Sequence, residues 1–253
     1  MQVVSTLALA LGGLVVVAMG VRLFVLSFRT GGVQERALGV GILLLGVLGG
    51  PLAAVSRSDG MRGTPEGDAW FALALCLVAA GMASMTAFPW LTFRRHSFGA
   101  LIVVLLASVS LGAIGHGLAT SLARGGAWPD QFAAMRPWIM AFVSHLILAF
   151  GWTGIESAAL ARRIRRQLAL GLGERETHDR VRLWSIGSLT VVVQTCVVLL
   201  TLGRGSFPLE DATCRAVLSL CVPLIATAFG LATFPPAAYL ARLRAERPAT
   251  ERV

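Results

Sequence analysis

Seven apolar stretches, each close to the length needed to cross a bilayer, follow one another along this chain with only short polar connections. A spanning helix needs about 20 predominantly apolar residues. The runs cover approximately residues 3–28, 37–55, 69–93, 98–121, 137–161, 183–203 and 212–240. No connection is long enough for a soluble domain, so residues 1–253 read as one all-α transmembrane domain, a bundle of seven helices. Only 14% of residues are charged and the mean hydropathy is +0.75, against roughly 25% charged in soluble domains. So few charges cannot cover a water-facing globule, and lipid is the solvent for most of this surface. The first run lacks a basic leader and an Ala-x-Ala site. It is also longer than the apolar core of about 7–15 residues in a signal peptide, and is expected to stay in the membrane.

Orientation follows from arginine. All 22 basic residues are Arg. Fifteen lie in the loops and tail of one side, six in the loops of the other, and Arg22 within the first run. The acids outside the runs divide six and six, so the net charge of +9 is concentrated on one face. The positive-inside rule makes that face cytoplasmic and places the N-terminus outside. The charge then serves topology and contact with anionic lipid, with no need for nucleic acid. Arg162, Arg163, Arg165 and Arg166 extend the fifth helix beyond the membrane, where Ile164, Leu168 and Leu170 hold it near the lipid surface and Gly171 and Gly173 end it. They are candidates for contact with lipid or with a cytoplasmic partner. Across the membrane, Pro129 and Asp130 are placed to start a short surface helix bearing Phe132 and Met135.

Small residues mark expected packing faces: Gly46, Gly49 and Gly50 in the second run, Gly81 and Ser84 in the third, and Ser108, Gly112, Gly115 and Ala119 in the fourth. Pro223 is expected to kink the last helix, Pro235 and Pro236 to break it, and Pro89 to end the third. The four cysteines lie in or near apolar runs without metal-ligand spacing and read as buried free thiols. No internal repeat is visible, which counts against a transporter built from repeats.

Ionisable groups inside spans are costly and point to function. His145, Ala149, Trp152 and Glu156 share one face of the fifth helix, and Ser108, Gly112 and His116 one face of the fourth. At about 1.5 Å per residue both imidazoles fall about 8–12 Å below the outer boundary. On neighbouring helices they are expected to face each other. Such a pair suits interhelical hydrogen bonding, proton or ligand sensing near Trp152, or axial ligation of a haem or a metal. Arg22 and Glu156 match in depth near the cytoplasmic boundary, so an intramembrane ion pair is expected between them. Gln194, in the middle of the sixth run, needs a buried partner and is expected to face the bundle.

The chain has no Lys, so a retinal Schiff base is excluded. No Gly-x-Ser-x-Gly, His-Glu-x-x-His, P-loop or intramembrane aspartate pair is present, and no catalytic residue is assigned. Residues 150–156, Phe-Gly-Trp-Thr-Gly-Ile-Glu, followed by the Arg-rich stretch 161–172 ending Leu-Ala-Leu-Gly-Leu, resemble an uncharacterised group of bacterial seven-helix membrane proteins. The resemblance covers about a quarter of the chain. The architecture is similar to seven-helix input modules in front of bacterial signalling domains, from which this chain departs by ending soon after its last span. The resemblance implies a multi-pass bacterial inner-membrane protein acting as a sensor or partner-binding component. A redox protein holding haem or quinone between the fourth and fifth helices, and a small transporter or channel, are the alternatives.

Overall fold

The computed structural model of the chain describes residues 2–56, 58, 60–61, 64–123, 128–208 and 211–245. These residues form α1 (Gln2–Thr30), α2 (Val33–Ile42), a π-helical segment (Leu43–Gly49), α3 (Gly50–Ser56), α4 (Pro65–Phe93), α5 (Phe98–Ala123), α6 (Trp128–Ala169), α7 (Arg175–Gly203), α8 (Ala212–Thr233) and α9 (Ala237–Ala245). Among the described residues there is no strand, and seven helices are long and apolar enough to cross a membrane, α2, the π segment and α3 counting as one. The chain is therefore a multi-pass helical membrane protein.

The spans close into a ring. Each packs on the next in sequence, and α8 returns to α1. One further contact, α4 with α6, crosses the ring and divides it. Met19, Leu23, Leu38, Ile42, Met85 and Phe229 form a core on the larger side, where α1, α2, α4 and α8 meet. Ile114, Leu118, Leu122 and Met135 form another between α5 and α6.

Local chemistry explains most helix ends. Thr64 caps α4 by accepting from the Gly67 amide at 3.0 Å, with Pro65 in the first turn. Asp211 caps α8 by accepting from the Cys214 amide at 2.7 Å. Beyond α6, Gly171 takes φ +73°. The Leu172 amide donates to the Gln167 carbonyl at 2.9 Å and the Gly171 amide to Leu168 at 3.1 Å. This is a Schellman closure, which requires a left-handed residue that glycine supplies at least cost. Gly205 closes α7 in the same way.

Four expectations about the elements are corrected. The fifth span does not start at Pro137: α6 runs unbroken through it from Trp128 for 42 residues, roughly 63 Å. Asp130, Phe132 and Met135 thus belong to the spanning helix, with Met135 buried and the Phe132 ring 5.8 Å from Phe207. Pro89 lies buried inside α4, near enough to its end that the helix closes at Phe93 rather than at the proline. The seventh span stops at Thr233 and not at residue 240: the break at Pro235 and Pro236 is as expected, and beyond it α9 starts anew at Ala237. Finally, the second span opens into a π turn at Leu43–Gly49. Pro51 follows, with no N–H to give and a ring that crowds the carbonyl four residues back. The Gly50 amide accordingly reaches five residues back to Leu45. The cysteines are free, as expected, but only Cys214 is buried, and Cys76 and Cys196 are exposed on the bundle surface.

Candidate functional site

The larger side of the ring encloses a cavity of about 350 Å³ between α1, α2, α4, α6, α7 and α8. Its volume is at the small end of the 300–1,000 Å³ typical of ligand pockets. Met19, Leu38, Ile42 and Met85 make apolar walls. Toward the Arg-rich end of the bundle it is floored by rings. Phe229 of α8, only 4% exposed, has its centroid 4.8 Å from Trp184 of α7 and 6.4 Å from Phe150 of α6, and Phe88 of α4 is 6.1 Å from Trp184. Offset ring contacts of this kind stabilise beyond the area they bury. Gly187 makes room for them: a Cβ there would come 2.8 Å from the Phe229 ring.

Gln194 is the amide of this cavity. The other described side chains of the lining are hydrocarbon, thioether or aromatic, with the Trp184 indole the one other that carries a nitrogen. Gln194 faces inward, as its sequence position predicts, but its Oε1 is buried and has no hydrogen-bond partner. It sits roughly 14 Å along α7 from Gly203, where lipid offers no water in exchange. A stranded acceptor in such surroundings costs about 1–3 kcal/mol.

The two histidines do not meet. Ser110, rather than His116, stands opposite His145, whose Nε2 is 2.6 Å from the Ser110 Oγ. The Ala141 carbonyl 2.9 Å from Nδ1 can only accept, so Nδ1 carries the proton. With Nδ1 donating, Nε2 pairs with the Ser110 hydroxyl, which also donates to the Ala107 carbonyl at 2.9 Å. His116 lies six residues further along α5, roughly 9 Å, on a face turned about 120° away. It is exposed on the outside of the bundle. α6 begins at Trp128 and not at Pro137, which shifts its register against α5. The bis-imidazole site for haem or metal is not formed. Among the described residues no group of three or more His, Cys, Asp or Glu is placed to hold a metal ion. Trp152 is half-buried and does not line the cavity.

The expected Arg22–Glu156 pair is also replaced. Glu156 accepts from Arg94 Nε at 2.7 Å, and the Arg22 guanidinium lies 4.6 Å from the centre of the Phe234 ring. Equal depth is not adjacency: α1 packs on α2 and α8 and does not touch α6, whereas α4, which ends just before Arg94, does. Arg162, Arg163, Arg165 and Arg166 are all exposed on the α6 extension, and none is ion-paired among the described residues. Ile164 turns into the protein at 8% exposure instead of into lipid, while Leu170 and Leu172 are 73% and 77% exposed.

The rings of the floor and Gly187 are the site residues that sequence reasoning passes over. The one signal, Trp184 three positions before Gly187 in an apolar helix, is no different from ordinary packing. The chain matches no protein family model, no curated protein and no solved structure.

Proposed function

We propose that this chain is a non-catalytic sensor of the bacterial inner membrane, which binds an apolar molecule in the cavity floored by Phe229 and Trp184 and presents its Arg-rich face to a cytoplasmic partner. The cavity carries the reading: a largely hydrocarbon-lined space of about 350 Å³ inside a ring of helices is a ligand site in form. The arginine asymmetry supports an external N-terminus and a cytoplasmic face bearing Arg162, Arg163, Arg165 and Arg166. The spanning helix α6 joins input and output, because Phe150 helps floor the cavity and the unpaired arginines continue the same helix. The resemblance to bacterial seven-helix input modules points the same way.

Two experiments test the two halves. A polarity-sensitive apolar fluorophore is expected to bind the purified protein saturably. Gly46→Leu, which places a side chain at the cavity wall, is expected to remove that binding with little change in melting temperature. No saturable binding to the wild type sinks the ligand reading. For the output, a photo-crosslinker at Leu170 in native membranes is expected to capture a protein. Changing Arg162, Arg163, Arg165 and Arg166 to Gln should reduce that capture, and undiminished capture sinks the partner reading.

A further inference from the structure

The cavity has a side as well as a floor. An open groove runs along the outside of the α1–α8 seam, lined by Leu14, Ala18, Thr227, Gly230 and Phe234. Two residues, Val15 and Ala226, line both the groove and the cavity. The partition is therefore one side chain thick, and both side chains are small. The groove lies on the hydrocarbon face of two spanning helices, so the medium it opens to is the bilayer rather than water.

Among the described residues, the one buried unpaired group at the cavity is Gln194, and its chemistry narrows the occupant. Its Oε1 requires a donor. Rotating the carboxamide by half a turn offers its N–H groups instead, so a hydroxyl, which both donates and accepts, satisfies either orientation. Among the described residues, no charged side chain lines the cavity. A carboxylate or phosphate there would be an uncompensated charge in a low-dielectric space, a far larger penalty than one unpaired hydroxyl. A pure hydrocarbon would fill the volume but leave Gln194 stranded.

Resting on the ligand reading above, we infer that the cavity takes a neutral, membrane-dissolved long-chain alcohol, whose hydroxyl pairs with Gln194 and which enters sideways from the bilayer between α1 and α8, past Val15 and Ala226. The hydrocarbon lining disfavours charged headgroups and water-soluble ligands alike.

The test uses the full chain in nanodiscs and three probes of equal chain length brominated at the tail: an alcohol, an alkane and a carboxylate. Bromine quenches tryptophan on contact, and the quenching lost in Trp184→Phe reports the cavity. With concentration expressed as mole fraction in the bilayer, the alcohol is expected to bind about tenfold more tightly than the alkane. In Gln194→Leu the two should bind alike, and alkane quenching in that variant shows that it is folded. In Ala226→Phe, association should slow several-fold. Equal binding of alcohol and alkane to the wild type, or tighter binding of the carboxylate, overturns the inference and leaves the ligand reading intact. Unchanged association in Ala226→Phe overturns the lateral route. No Trp184 quenching by any probe overturns both the inference and the ligand reading.

Discussion

Glycine-rich faces occur on both sides of this ring, and they do opposite things. Where α2 and its π segment cross α4, the backbones touch. A Cβ on Gly81 would lie 2.8 Å from the Leu45 amide nitrogen and 2.9 Å from the Gly41 carbonyl oxygen, and one on Gly41 would lie 3.0 Å from the Gly81 carbonyl. Ser84 adds a hydrogen bond to the Ala37 carbonyl at 2.7 Å. On α5, a Cβ at Gly112 or Gly115 would find open space within 4 Å, Gly112 on the outside of the bundle and Gly115 at a cavity between α4, α5 and α6. Instead α5 packs through its other face. Gly117 lies directly against the Trp138 ring of α6, and Ser110 reaches His145. The spacing of small residues thus marks where a helix can be approached closely, while the neighbour that takes up the offer is fixed elsewhere in the chain.

The largest expected effect sharpens that contrast. Gly81→Leu is predicted to destabilise the bundle by about 3 kcal/mol or to prevent folding, because the obstructing atoms are backbone and cannot swing aside. Denaturation in mixed detergent micelles measures it, and a loss below about 1 kcal/mol would show that the α2–α4 crossing is looser than drawn. Gly117→Ala is predicted to cost about 1–3 kcal/mol, since the Trp138 ring must shift to admit a methyl group. A neutral result there would erase the distinction between the two faces of α5. His145→Phe is predicted to cost about 1 kcal/mol by removing the side-chain hydrogen bond between α5 and α6, and Ser110→Ala with His145→Phe should be less than additive in a double-mutant cycle. His116→Phe should do nothing comparable. The smallest effect is expected for Gly112→Leu, within about 0.5 kcal/mol for the monomer. A larger loss, accompanied by a change in sedimentation, would show that a partner covers the outward stripe.

The failures of sequence reasoning fall in the same pattern. Gln194 was legible as inward-facing because a single amide in an apolar helix has one affordable direction. Gly171 was legible as a helix end because a left-handed closure follows from local geometry. The Arg22–Glu156 and His116–His145 pairs follow from depth alone, which is a sum of rises along one helix. Contact needs two further quantities, the order of helices around the ring and the rotation of each about its axis. Both depend on side chains remote in sequence, such as Trp138 against Gly117 and Phe229 against Gly187.

What the sequence determined by itself is the set of local, additive properties: seven spans from summed hydropathy, an asymmetry of charge between the two ends, and a helix end at Gly171. Each follows from residues within about one span of one another, so no knowledge of neighbours is needed. Only the tertiary structure decided that α8 closes on α1, that Glu156 pairs with Arg94, and that Gln194 faces a space instead of a partner. Those outcomes depend on how bulky side chains interlock between helices far apart in the chain, and packing is a property of pairs that no single stretch of sequence contains.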